Sequence, residues 1–252
     1  MAYLESSGGG ATKAQEFDSS GTFTVPAGVS LLWVSAQGGG AGGGGGQQGS
    51  IVNLGGTGGK SGWTILRQSI LVTPGQTIAV TIGAGGNGGG VGYTPGQGGY
   101  GGDTSFGTYL VAWGSSHATH VQNANGGDLI LLPDSGVMIT PQVGGNAMYW
   151  FNGPVIYSRP GSSIYTRAGG AAGSYTDTYG GAAGGGSASF FGNGGKGGDF
   201  NNATSGSEYG AAGVRGAGGG GGAGEGVGEP PVNYGGNGGA GGHGYVLVEW
   251  VG

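Results

Sequence analysis

Hydrophobic and polar positions alternate along this chain in short blocks, and between the blocks the alternation gives way to glycine. Thr22-Phe23-Thr24-Val25 reads as a strand ending in the turn Pro26-Ala27-Gly28. Residues 29–36 (Val-Ser-Leu-Leu-Trp-Val-Ser-Ala) and the apolar stretch 63–73 follow as strands rich in β-formers. In residues 77–82 the alternation is strict, with Ile78, Val80 and Ile82 on one face. The turn Pro74-Gly75 between these last two blocks predicts a hairpin. Residues 108–113 form a further strand, and residues 245–251 a closing one with Val246, Val248 and Trp250 on one face. A closing strand needs neighbours to cover its edges, and the blocks near 23–36 and 63–82 are its natural partners. No segment carries helical periodicity.

The intervening glycine is ordered in sequence. Residues 235–245 read Gly-Gly-Asn, Gly-Gly-Ala, Gly-Gly-His, Gly-Tyr, and Gly-Gly-X triplets recur around Thr57 and Lys60, Tyr100 and Asp103, and Lys196 and Asp199. A period of three fits neither helix nor strand, but it fits polyproline II geometry, with three residues per turn. Such a helix makes no internal hydrogen bonds. Fixing a backbone costs roughly 1–2 kcal/mol per residue, against about 1 kcal/mol net for a lateral bond. One glycine helix therefore cannot hold itself, whereas a bundle anchored on strands can. Each third residue would line one edge: Asn237, Ala240 and His243 along one helix, Thr57 and Lys60 along another. Collagen is excluded, since it needs one glycine in three with abundant proline and this chain has 9 prolines against 74 glycines. A flexible linker is disfavoured by the strand blocks that bracket the runs.

These patterns predict an all-β fold: a β-sandwich anchoring a layer of packed polyglycine helices of polyproline II type, with almost no α-helix. Residues 1–16 read as an N-terminal arm or linker. Residues 17–114 with 243–252 make up the sandwich and its glycine-rich loops. In residues 115–168 glycine thins out and short strands are expected near 128–132, 137–140, 149–151 and 155–158, an inserted β-rich subdomain. Residues 169–242 return to glycine.

Composition narrows the function classes. The 252 residues carry a net charge of −5 with only 8% charged residues, a poor match to nucleic acid, whose binding rests on basic contacts to phosphate. The 35% hydrophobic content is too low for one conventional core to run through the whole chain. No apolar run approaches the length of a membrane-spanning helix. The first residues, Met1-Ala2-Tyr3-Leu4-Glu5, lack the basic start and apolar stretch of a signal peptide, so synthesis and assembly in a cytosol are expected. Without cysteine there is neither disulfide nor thiol chemistry.

Candidate chemistry is sparse. Gly-x-Gly-x-x-Gly matches carry no weight in a chain this rich in glycine, and Lys60-Ser61 leads into a strand where a phosphate loop needs a helix. His117 and His120 would face opposite sides of a strand, and surface histidines explain them better than a metal site. Glu225 and Glu229 lie in glycine–proline sequence that fixes no separation for acid–base work. No metal, no cofactor and no enzymatic activity are expected.

Aromatic and polar residues interrupt the late glycine runs. One interruption holds Tyr175, Thr176, Asp177 and Tyr179; a second holds Phe200, Asn201 and Asn202; Tyr209 stands alone; and Pro231, Asn233 and Tyr234 form the last. Tyrosine beside Ser, Asn, Asp and Gly is the composition of recognition loops, giving rigid contact area with adaptable hydrogen bonding. Equally, such rings could cover a glycine layer that has no side chains of its own. In the insert, the consecutive Tyr149, Trp150 and Phe151 place at least one ring at a surface or interface.

Several landmarks together resemble the glycine-rich domain of bacteriophage tail-fibre and tail-tip proteins. They are Gly21-Thr22-Phe23-Thr24-Val25-Pro26-Ala27-Gly28-Val29 running into Trp33-Val34-Ser35-Ala36 and polyglycine, Val72-Thr73-Pro74-Gly75-Gln76-Thr77, Val80-Thr81-Ile82-Gly83-Ala84-Gly85-Gly86, Gly102-Asp103-Thr104-Ser105-Phe106-Gly107, and Gly244-Tyr245-Val246-Leu247-Val248-Glu249-Trp250. They keep their order across residues 21–251. The resemblance implies a virion protein, exposed on the phage particle after assembly in the host cytoplasm, whose loop tips bind a host surface receptor, either an outer-membrane protein or a polysaccharide. It implies other tail proteins as partners and a homo-oligomer, a trimer being the usual construction of fibres, with no nucleic acid and no membrane insertion. The 115–168 insert departs from the family pattern, and the attachment region of T-even adhesins is missing. A non-adhesive decoration or connector protein is the alternative. Ice binding is a remote third, against which the irregular third positions Thr57, Lys60, Asn87 and Asp103 count.

Overall fold

The structure is a computed structural model that describes residues 11–47, 55–115, 129–131, 137–139, 144–145, 168–171, 183–199, 209–224 and 235–252. Those residues contain no helix; they form ten strands in two antiparallel sheets. The strands are β1 (Thr12–Phe17), β2 (Gly21–Thr24), β3 (Leu31–Gln37), β4 (Thr64–Leu71), β5 (Thr77–Thr81), β6 (Thr104–Phe106), β7 (Leu110–Ala112), β8 (Leu129–Leu131), β9 (Val137–Ile139) and β10 (Tyr245–Val251). One sheet has the order β1-β10-β3-β4-β9-β8 and the other β2-β5-β6-β7. The closing strand pairs with β3, as its alternation requires, and β1 covers its second edge, Thr12 opposite Val251 and Phe17 opposite Val246.

Both sheets contribute to one core. Leu32, Val34, Ala36, Val246, Val248 and Trp250 come from the first sheet, and Phe23, Ile78, Val80, Phe106, Leu110 and Ala112 from the second. The Phe23 ring meets Phe106 at 5.9 Å and Trp250 edge-on at 5.6 Å, so aromatic packing ties β2 to its own sheet and to β10. These are the alternate positions that the period-two pattern selects.

The hairpin expected across Pro74-Gly75 does not form: β4 pairs with β3 and β5 with β2, in different sheets. The turn itself is present. Gln76 N–H donates to Thr73 O, and Gly75 takes the positive φ of 80° that glycine permits. What redirects the chain is Val25, whose N–H donates to Gln76 O and whose carbonyl accepts from Gly75 N–H. The turn is thereby bonded to the end of β2, and β5 is handed to the second sheet.

Glycine runs leave the ends of the strands and bond laterally with a three-residue repeat. Run 38–46 continues β3, and every amide in it donates to a neighbouring run. Gly38, Ala41 and Gly44 donate to Trp63, Lys60 and Thr57; Gly39, Gly42 and Gly45 to Gly102, Gly99 and Gly96; Gly40, Gly43 and Gly46 to Gly242, Gly239 and Gly236. Its carbonyls accept from run 83–92 at Gly40, Gly43 and Gly46, and from run 216–224 at Ala41 and Gly44. Run 216–224 is surrounded in the same way, by runs 38–46, 55–62, 183–188, 193–198, 210–213 and 235–242. Both central runs are buried throughout. Buried backbone polar groups must find partners, and here the partners are other glycine backbones. The approach leaves no room for side chains: a Cβ on Gly43 would lie 2.1 Å from Gly220 O, and one on Gly46 1.8 Å from Ala223 O.

Candidate functional site

The glycine runs have two ends with different chemistry. At the near end they meet the strands around Gln37 and Tyr245, which face each other across β3 and β10. Gln37 is fully buried; its amide donates to Gly62 O at 2.9 Å and Trp63 O at 3.2 Å, and its Oε1 accepts from Thr64 Oγ1 at 2.6 Å. A polar side chain survives here because it closes the carbonyls where run 55–62 becomes β4.

Tyr245 anchors two turns of the glycine layer. The Arg215 guanidinium lies 4.3 Å from its ring centroid and Phe191 packs at 4.8 Å. Arg215 also pairs with Asp18 through Nε and Nη2, both at 2.9 Å, and with Glu16 at 3.2 Å. Strand β1 is thus clamped to the turn joining runs 210–213 and 216–224, which closes with Ala217 N–H on Val214 O. Arg215 holds a left-handed φ of 40°, uncommon for a side chain of this size. Burial, followed by the Glu16 carboxylate, pushes the Tyr245 phenol well above its ordinary range. No sequence signal marks this clamp beyond a lone cation in glycine-rich surroundings.

At the far end the runs stop together. Gly46 is bonded to Gly236, Gly236 to Ala223, Gly222 to Gly56, Gly56 to Gly184, Ala183 to Gly198 and Gly198 to Gly221. Gln47 bridges Gly92 beside them. These residues flank segments 48–54, 172–182, 200–208 and 225–234, so each segment departs from and returns to the same end of the bundle.

Of the sequence-predicted recognition residues, Tyr209 lies at this end, exposed, next to Gly210, whose N–H donates to Asn237 O. Tyr175, Thr176, Asp177, Tyr179, Phe200, Asn201, Asn202, Pro231, Asn233 and Tyr234 fall outside the described residues, as do His117, His120, Glu225, Glu229 and the aromatic trio 149–151. Asn237, Ala240 and His243 line one exposed edge of their run with the spacing the triplets predict, and His243 Nδ1 sits 2.8 Å from Gly244 O. Strands β8 and β9, within the 115–168 insert, extend the first sheet beyond β4. Among the described residues no group of three or more His, Asp or Glu side chains is arranged to hold a metal, and no helix is long and apolar enough to cross a membrane.

A comparison with curated proteins finds no match. The family model described as "Glycine-rich domain" matches residues 7–251, nearly the full length, and both the strands and the laterally bonded runs lie inside that match. The chain therefore belongs to the glycine-rich domain family.

Proposed function

We propose that this chain is a bacteriophage virion protein of a tail fibre or tail tip, and that it adheres to the host surface through the segments at the far end of its glycine bundle. No bond is made or broken in this role. The two sheets act as a β-sandwich, the glycine runs as polyproline II helices standing on it, and the interrupting residues as the contact surface. The observation that carries the reading is the convergence of run ends: glycine sequences far apart in the chain stop at one end, and the segments rich in Tyr, Asn and Asp begin there. A backbone-bonded bundle suits this task. It fixes loop ends without depending on loop sequence, so the contacts can change while the scaffold stays. The landmark sequences shared with tail-fibre glycine-rich domains point the same way, and they imply the virion as location, other tail proteins as neighbours and a homo-oligomeric state.

The test is a loop exchange. With residues 174–179 and 229–234 replaced by Gly-Ser, phage carrying the variant should assemble and lose adsorption to their host. Unchanged adsorption and host range would remove the adhesin reading and leave a connector or decoration role.

A further inference from the structure

One side of the molecule carries a row of exposed aromatic side chains that runs from the far end to the strands. Tyr93, Tyr100, Trp113 and Tyr109 are 71%, 60%, 50% and 43% exposed. Tyr93 sits beside Gln47, whose amide donates to its carbonyl. Tyr100 occupies the outer third position of run 96–102, between Gln97 and Asp103, both exposed. Asp103 then accepts from Gly114 N–H at 2.8 Å, which joins this column to Trp113. From there Trp113, Val111 and Tyr109 alternate outward along β7 and the residue on either side of it, about 13 Å from first to last. The Trp63 ring supports Trp113 edge-on at 5.4 Å, and Gln76 fixes the Tyr109 hydroxyl at 2.7 Å.

We propose that this row is a lateral binding track for an extended, uncharged polysaccharide. The inference rests on the reading of the chain as a surface-binding protein, and it names a ligand class and a surface separate from the loop tips. Aromatic faces bury the C–H faces of sugar rings while the hydroxyls turn to polar neighbours. The row supplies both, with single rings alternating with amides, hydroxyls and one carboxylate at Gln97, Asp103, Ser105 and Gln76. Among the described residues that form it there is no cationic side chain to draw an anionic polymer. A protein partner would call for a broad apolar centre, whereas here the apolar face Trp113, Val111 and Tyr109 is one strand wide and continues only as single rings, Tyr100 and Tyr93, spaced by glycine and polar residues, which suits a chain-like ligand.

Native affinity electrophoresis in gels cast with dextran, mannan or galactan, with polygalacturonate as the anionic control, tests the proposal. The protein should be retarded by at least one neutral polymer and not by polygalacturonate. Tyr100→Ala combined with Tyr109→Ala should weaken retardation at least tenfold with an unchanged circular dichroism spectrum. The loop-exchanged protein should be retarded as strongly as the parent, which separates this surface from the tips. Absence of retardation by every neutral polymer, retardation by polygalacturonate alone, retardation lost only on loop exchange, or dimerisation abolished by the double substitution would each overturn the track. None of these outcomes bears on phage adsorption through the tips, which the loop exchange reads in vivo.

Discussion

Adjacent glycines in one run have opposite tolerances. A Cβ on Gly43 would collide with Gly220 O at 2.1 Å, while one on Gly44 would meet nothing nearer than Thr57 N at 3.5 Å, an ordinary contact. Ala41, three residues earlier, already occupies the equivalent position as a fully buried residue. Gly44→Ala should therefore leave stability unchanged or raise it by about 0.5 kcal/mol through lost unfolded-state entropy. Gly43→Ala, which forces two backbones apart, should cost several kcal/mol or prevent folding; equal midpoints in urea for the two variants would contradict the packing. Tyr245 gives a second prediction at this scale. Its phenol is held above the ordinary value of 10.0 by burial and then by Glu16, so the folded state favours the protonated form. The associated stability is complete below about pH 10 and declines as pH rises beyond it, because the unfolded chain releases the proton first. Tyr245→Phe has no such proton, and alkaline unfolding followed by circular dichroism should move to higher pH in that variant.

Elements in this fold are held by two different devices, and hydrogen exchange should tell them apart. Every amide of run 38–46 donates, so its protection should match that of β3 across all positions. Run 83–92 lies outside it and donates through Gly83, Gly86, Gly89 and Gly92, with Val91 as one additional donor to Asn237 Oδ1, while Ala84, Asn87 and Gly90 are exposed. Protection there should repeat every third residue; uniform protection or uniform exchange would refute the three-residue ladder. Much of this was legible beforehand. Period two gave β2, β3, β5 and β10, because burying one face of a strand writes itself into alternation. The Gly-Gly-X triplets gave the spacing of exposed third positions, since only a position without a facing backbone can carry a side chain. Other features left no such trace. Strand β1, Thr-Lys-Ala-Gln-Glu-Phe, is exposed at every residue but Phe17 and has no alternation to read. The destination of β5 was set by Val25 bonding to the turn at Gly75 and Gln76, a contact distant in sequence, so the turn residues alone suggested a hairpin. The Arg215 clamp joins partners nearly two hundred residues apart, separated by 197 positions for Asp18. A double-mutant cycle on Arg215→Gln and Asp18→Asn should return a coupling of about 1 kcal/mol; additive losses would show that the turn is held by Phe191 and Tyr245 alone. Of the residues proposed for recognition, sequence supplied the composition and the described structure supplied the common end at which the runs flanking their segments stop.

Across the whole molecule the sheets and the glycine bundle are continuous, and this sets how the protein unfolds. Run 38–46 continues β3, run 235–244 enters β10, run 55–62 enters β4, run 83–92 follows β5 and run 96–102 precedes β6. A glycine run has no apolar face, so it cannot persist once the strand anchoring it melts. The sheets in turn lose Gln37 and Tyr245 packing when the runs leave. Calorimetry should therefore show one transition with equal calorimetric and van't Hoff enthalpies. Its heat-capacity change should be unusual. Apolar exposure raises ΔCp, whereas polar exposure lowers it, with an ordinary net of about 12–15 cal/mol/K per residue. Here a large share of what unfolding exposes is glycine backbone, from a chain holding 74 glycines, and among the described residues the buried apolar side chains gather in one core to which both sheets contribute. The change per residue should fall clearly below the ordinary range, giving a flat stability curve with little loss of stability on cooling. Two separate transitions would show that the bundle stands without its strands, and an ordinary ΔCp would show that its unfolding exposes far more apolar surface than the buried glycine runs contain.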